Sequence, residues 1–172
     1  MDLRMVKTRS QIKQAFLTLR EKHLPERIKV KDICEMAQIN KTTFYNHYTD
    51  SFALSEEIDE GALDMVLSHF EEKDKLFESP LAYVTGLFQA IEMAAPLLLK
   101  VFRERGDALS AKLEEKLRHI YDGIAKRAEK NVLLSFALGG FVRLAHDYLF
   151  AETKGHILEL AQAAATAIAS FV

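Results

Sequence analysis

The chain has 172 residues, of which 49% are apolar and 28% charged, with 7 Gly, 3 Pro and a single Cys. That length suits one or two small domains with a buried core, and so little Gly and Pro excludes collagen-like or linker-rich architectures. One Cys excludes an intramolecular disulfide framework and a Cys-rich zinc site, and it fits a reducing compartment.

The apolar spacing is helical throughout and predicts an all-α fold of nine helices. The first covers residues 8–23. It buries Ile12, Ala15, Phe16 and Leu19, leaves Arg9, Lys13, Arg20 and Lys22 mostly outside, and is stopped by Pro25. The second covers residues 30–37 and buries Val30, Ile33, Cys34 and Ala37. Gln38, Ile39 and Asn40 form a three-residue turn, with Asn40 as an N-cap. The third helix covers residues 41–48. After a break at residues 49–51, Asp50 or Ser51 caps a fourth helix running to residue 73.

The remainder reads as a helical bundle. Ser79 and Pro80 mark a helix start, with that helix ending at residue 95. Pro96 opens a short helix to residue 106, and Asp107 caps the next to residue 130. Asn131 caps another to residue 153, and the last covers residues 156–171. The functional boundary falls near residue 50, giving a head of residues 1–50 and a body of residues 51–172.

Charge follows that boundary. Residues 1–50 carry ten Lys/Arg against six Asp/Glu, whereas residues 51–172 carry thirteen against nineteen. A basic head on an acidic body points to an anionic partner for the head alone. Residues 1–4 are not followed by the apolar stretch of a signal peptide. The longest near-apolar run, residues 132–142, falls short of the roughly 20 residues that span a bilayer. The expectation is a soluble cytoplasmic protein.

Two short helices joined by a three-residue turn form a helix-turn-helix. Phe44 and Tyr48, four residues apart, face inward, with Ile39 plugging the turn. Lys41, Thr42, Thr43, Tyr45, Asn46 and His47 face outward. Such a helix suits the major groove, which displays donors, acceptors and thymine methyls. Thr42 and Thr43 suit thymine methyls and Asn46 an adenine edge, while Lys41, Tyr45 and His47 suit phosphates. Lys29 and Lys31 stand at the start of the second helix, where cations and a helix N-terminus together favour a phosphate. With Tyr48, these residues make up the candidate DNA-binding set.

The stretches Val30-Lys31-Asp32-Ile33-Cys34-Glu35-Met36-Ala37, Ile39-Asn40-Lys41-Thr42-Thr43-Phe44-Tyr45-Asn46-His47-Tyr48 and Ala53-Leu54 resemble the TetR family of bacterial one-component transcriptional regulators. The likeness covers residues 8–63. Leu138-Gly139-Gly140-Phe141 resembles the subgroup related to activators of dihydroxyacetone kinase operons. Three departures stand out. The family usually has Lys where Ser51 stands and often Thr where Lys29 stands, and residues 1–60 contain no Gly.

The resemblance implies a homodimeric, ligand-responsive repressor that reads an inverted-repeat operator on double-stranded DNA. An effector would shift the separation of the two heads, with the fourth helix as lever. Phe70, Phe77, Tyr83, Phe88, Met93, Phe102 and Tyr121 read either as plain core or as the lining of an effector cavity. The candidate ligand residues are Tyr83, Phe88, Gln89, Glu92, His119 and Tyr121. Residues 132–142 are apolar all round apart from Ser135, and such a helix is buried on every side. The last helix is Ala-rich. Pairing both with their copies over residues 131–171 gives a four-helix dimer interface.

Cys34 reads as a small buried residue. His23 reads as a solvated helix end, and His69, His119, His146 and His156 show no metal-ligand spacing. No nucleophile elbow, P-loop or paired-carboxylate signature appears, so an enzyme is not expected, nor is a cofactor or a metal. A rival reading keeps the same fold as an adaptor or coactivator that binds a protein partner. Ser51 and the modest charge of the head keep that rival open.

Overall fold

The structure, a computed structural model, describes residues 3–121, 128–150 and 155–170. Among these the chain is all-helical, with eight α-helices and no strand. The helices are α1 (Leu3–Arg20), α2 (Val30–Ala37), α3 (Lys41–Tyr45), α4 (Ser51–His69), α5 (Pro80–Val101), α6 (Gly106–Ile120), α7 (Ala128–Phe150) and α8 (Gly155–Ala169). A 3-10 turn at Pro25–Arg27 follows α1. The chain divides into two compact units between Ala62 and Leu63, inside α4. The opening turns of α4 go with the first unit because α1 binds them through ion pairs.

In the first unit, α1 packs on α2 and α2 on α3. Ile12 and Phe16 of α1, Ile33 of α2, Phe44 of α3 and Leu54 of α4 are fully buried. Burying a side chain of this size contributes about 1.5–3 kcal/mol. Arg20 departs from expectation, because it is buried rather than outside the stripe, and Leu19 is only half-buried. The reason is Asp59 of α4, equally buried, which accepts a hydrogen bond from Arg20 Nη1 at 3.0 Å. A buried charge of either sign is tolerable only with such a partner.

The second unit is arranged around α5, which packs against α7 and α8, while α6 packs against α7 and α7 against α8. Pro96 does not end α5, so the two helices expected over residues 80–106 are one as far as Val101. Ala94, Leu98 and Val101 continue the buried stripe of Leu87 and Ile91 across the proline. That packing outweighs the single hydrogen bond the ring removes. The longer helix is apolar enough to cross a membrane by length and composition, as is Asn131–Phe150 of α7. About half of each such stretch is buried within this unit, as in core helices.

Gly106 opens α6 against the imidazole of His146, which would have to move to admit a Cβ. Neighbouring space between α5, α6 and α7 is lined by Leu98, Leu109, Ser110, Val142 and His146, among others, and holds about 10 Å³, room for a single water at most. The helix expected over residues 107–130 ends at Ile120 as α6, and Asn131 lies inside α7 rather than capping it. The expected helix ends at residues 153 and 171 lie outside the described residues.

Candidate nucleic-acid interface

The reading head is built from local chain chemistry. Gln38 ends α2 in the left-handed region (φ 55°), and its N–H bonds back to Cys34 and Glu35 carbonyls. Ile39 N–H donates to the Cys34 carbonyl at 3.0 Å, closing the turn as a Schellman-type cap. Asn40 then starts α3: its Oδ1 accepts from Thr43 N–H at 2.7 Å and from the Thr43 hydroxyl at 3.0 Å. Asp50 caps α4 in the same way, accepting from Ala53 N–H at 2.8 Å.

α3 is shorter than expected, ending at Tyr45, with Asn46 as its C-cap. The chain continues helically enough for Tyr48 N–H to reach the Phe44 carbonyl at 3.0 Å. Phe44 is buried completely, and Tyr45 stands edge-on to it at 5.6 Å. Lys41, Thr42, Tyr45 and Asn46 are exposed, Tyr45 to 54%. Thr43 and His47 are half-buried, Thr43 being held by the cap. Four of the six are thus open to solvent and two are partly covered.

Tyr48 does not. It is 5% exposed, packs against Phe44 at 5.8 Å, and its hydroxyl accepts from Arg9 Nε at 3.2 Å. Burial pushes its phenol up, and the Arg9 hydrogen bond opposes this. The structure places Tyr48 beneath the surface as a support for it.

Lys29 and Lys31 are both exposed at the start of α2. Asp32 is placed there too, its carboxylate accepting from Lys29 N–H at 3.3 Å, so a protein carboxylate already occupies part of that helix terminus. Lys31 pairs with Glu35 at 3.6 Å. An exposed pair of this kind is worth about 0.3–0.5 kcal/mol, too little to hold the lysine from a phosphate. Cys34 is buried, and burial pushes its thiol up despite nearby Lys41, which removes the thiolate character a redox sensor needs.

Sequence reasoning missed the groups beneath the surface. Arg9, Lys13 and Glu57 form a cluster with Tyr48, and Arg20 pairs with Asp59. Arg9 and Lys13 stand four residues apart on one face of α1, a spacing that could have flagged them as partners of a common carboxylate.

In the second unit the six ligand candidates are not gathered in one place. Tyr83 and Phe88 are buried, whereas Gln89, Glu92 and His119 are exposed. Tyr83 packs against Phe70 and Phe141, and Phe88 against Tyr148. Tyr121 is buried and its hydroxyl is engaged: it donates to the Lys73 carbonyl at 2.9 Å and accepts from Leu76 N–H at 2.9 Å. The Tyr83 hydroxyl is buried without a hydrogen-bond partner among the described residues. No group of three or more His, Cys, Asp or Glu side chains is placed to hold a metal among the described residues.

The whole architecture matches a solved structure, a TetR transcriptional regulator from Streptococcus agalactiae, with a TM-score of 0.60 over 96% of this chain and 95% of that one. Sequence identity is 20%, so the likeness is one of fold. No protein-family profile matches the chain, and no characterised protein sequence does.

Proposed function

We propose that this chain is a sequence-specific DNA-binding transcriptional regulator that acts as a homodimeric, ligand-responsive repressor in the cytoplasm. The observation that carries the reading is the α3 surface. A very short helix is pinned from below by Phe44 and shows Lys41, Thr42, Tyr45 and Asn46 outward, in a fold shared with a TetR transcriptional regulator. Lys41, with Lys29 and Lys31, meets phosphates and fixes register, while Thr42 and Asn46 read base edges. The Leu138–Phe141 sequence supports placement in the subgroup related to dihydroxyacetone kinase operon activators.

The homodimer is supported by α7. Val132 and Phe136, four residues apart, are 71% and 72% exposed, and Gly140 follows on the same stripe with open space before it. α8 adds exposed Leu160 and Ala167. Two copies pairing these faces would bury them and give the head the two-fold symmetry of an inverted repeat, with half-sites roughly 34–36 Å apart or a multiple of it. The effector reading is supported by Tyr83, whose buried, unpartnered hydroxyl among aromatic rings suits a ligand carrying one hydrogen-bonding group.

The test is selection of genomic DNA fragments on the purified protein at near-physiological salt, followed by affinity measurement on the recovered fragment. We expect an inverted repeat. Tyr45→Ala and Asn46→Ala should each weaken its binding roughly 5- to 150-fold without altering the dimer. Unchanged affinity in both would remove α3 as the reading surface.

Exposed Phe52 at the start of α4 and Met36 on α2 favour a second reading, an adaptor that docks a protein through the head. The two readings differ in salt dependence, which is steep only where several phosphates are neutralised.

A further inference from the structure

Tyr48 closes the reading segment, and one arginine ties it to two other helices. Arg9 of α1 donates from Nε to the Tyr48 hydroxyl at 3.2 Å and from Nη2 to Glu57 Oε2 of α4 at 2.6 Å. Its guanidinium carbon lies 5.6 Å from the Tyr48 ring centre. Lys13, one turn along α1, takes the other Glu57 oxygen at 2.5 Å. The Tyr48 ring in turn lies against Phe44, the buried anchor of α3. A guanidinium suits this junction because its rigid fork carries donors in several directions, whereas a lysine is a single charged point.

We propose that Arg9 and Glu57 form a latch that sets the angle of the reading segment against α1 and α4, making both positioning residues for sequence reading. The proposal rests on the DNA-reading function above. Base-edge contacts need their side chains held to within about 0.5 Å. A tilt at Tyr48 moves Tyr45 and Asn46 off the base edges, while the long, flexible Lys31 and Lys41 still find phosphates. The latch therefore governs specific binding and leaves non-specific binding alone. Burial works against an ionised Glu57, but the hydrogen bonds from Arg9 and Lys13 outweigh it and hold the carboxyl below its usual range, so the latch is charged at neutral pH.

Three full-length variants test this. Tyr48→Phe removes one hydroxyl and no charge, Arg9→Lys keeps the charge and can still pair with Glu57, and Glu57→Gln removes the carboxylate. Affinity is measured for the selected fragment and for unrelated DNA of equal length over a range of salt, and amide hydrogen exchange of residues 41–48 is measured without DNA. We expect each variant to lose roughly tenfold for the selected fragment, the scale of one hydrogen bond to a charged group. Affinity for unrelated DNA and the salt slope should not change in Tyr48→Phe and Arg9→Lys, and residues 41–48 should exchange faster in all three variants.

Normal affinity and normal exchange in Tyr48→Phe and Arg9→Lys would overturn the latch. So would a silent Tyr48→Phe combined with a salt slope reduced by about one in a fourth variant, Arg9→Ala, which would make Arg9 a phosphate contact. A wild-type protein with no sequence preference would defeat the function above and not this proposal. Exchange then decides: faster exchange in all three variants supports the latch, and unchanged exchange ends it.

Discussion

Two buried tyrosines show how differently one hydroxyl can act. Tyr121 Oη clips the segment after α4, donating to one backbone group and accepting from another, so a phenylalanine there would leave the buried Leu76 N–H without its partner. Tyr83 is as deeply buried, yet its hydroxyl has no partner among the described residues. Tyr121→Phe should therefore destabilise the protein by about 1–3 kcal/mol in urea unfolding, and Tyr83→Phe should leave stability unchanged or raise it. A comparable loss in Tyr83→Phe would reveal an ordered water on that hydroxyl. The pH dependence gives a second check. Burial, reinforced by Asp74 and Glu78 and opposed by the Leu76 hydrogen bond, pushes the Tyr121 phenol up to about 12. An unfolded tyrosine titrates near 10. A folded pKa above the unfolded one means that the stability contribution is complete below pH 10 and lost as pH rises through 12. The gap between wild type and Tyr121→Phe should narrow across that window, and a constant gap would count against the assignment.

Among the helices, α1 and α4 are joined by ion pairs of contrasting worth. The pairs of Glu57 with Arg9 and Lys13 are partly open to solvent, whereas Arg20 and Asp59 are almost wholly excluded from it. Removing one partner of a buried pair strands the other charge. Asp59→Asn should thus cost roughly 3–5 kcal/mol in urea unfolding, far more than loss of an exposed pair. A loss below about 1 kcal/mol would mean that water reaches Arg20. Asp59 was invisible in the sequence, where Arg20 reads as an outward residue at a helix end. The period of α1 assigns faces, but it does not reveal a carboxylate 39 residues away. The α2–α3 region was far more legible because its signals are local: Asn40 as cap, Phe44 as anchor and the three-residue turn each act within a few residues. Its local surprises are the early end of α3 at Tyr45 and Gln38, a left-handed residue in a conformation that favours glycine. The split placed at Pro96 failed for the opposite reason. A local breaking signal met a continuous buried stripe supplied by tertiary packing. The outward set on α3 was readable by elimination of the buried face, whereas the latch beneath it was not: the spacing of Phe44 and Tyr48 turns Tyr48 inward but does not reveal Arg9 and Glu57 gathered at its hydroxyl.

At the scale of the molecule, the second unit does not bury all its apolar surface within one chain. The helix that reads as apolar all round is divided: Leu134, Ala137, Leu138, Phe141 and Val142 are buried, while Val132 and Phe136 stand open. Two large apolar side chains left more than two-thirds exposed on one stripe support the proposed dimer surface. Arg143 and Asp147 extend the stripe with a charged pair 3.1 Å apart, the polar edge expected around such a patch. A two-fold interface brings residues close to its axis near their own copies, so a charge placed at its centre opposes the same charge across the axis. Phe136→Arg should convert the proposed dimer to monomer in sedimentation velocity, with little change in helix content, because the side chain it replaces touches mainly solvent in the single chain. Binding to the selected inverted repeat should then fall by at least roughly a hundredfold, since two heads linked in one dimer bind with an effective concentration that two separate chains lack. Affinity for a single half-site should be unchanged. A variant that remains dimeric would move the interface off this stripe, and a wild-type protein that sediments as a monomer would remove the two-fold reading of the operator altogether.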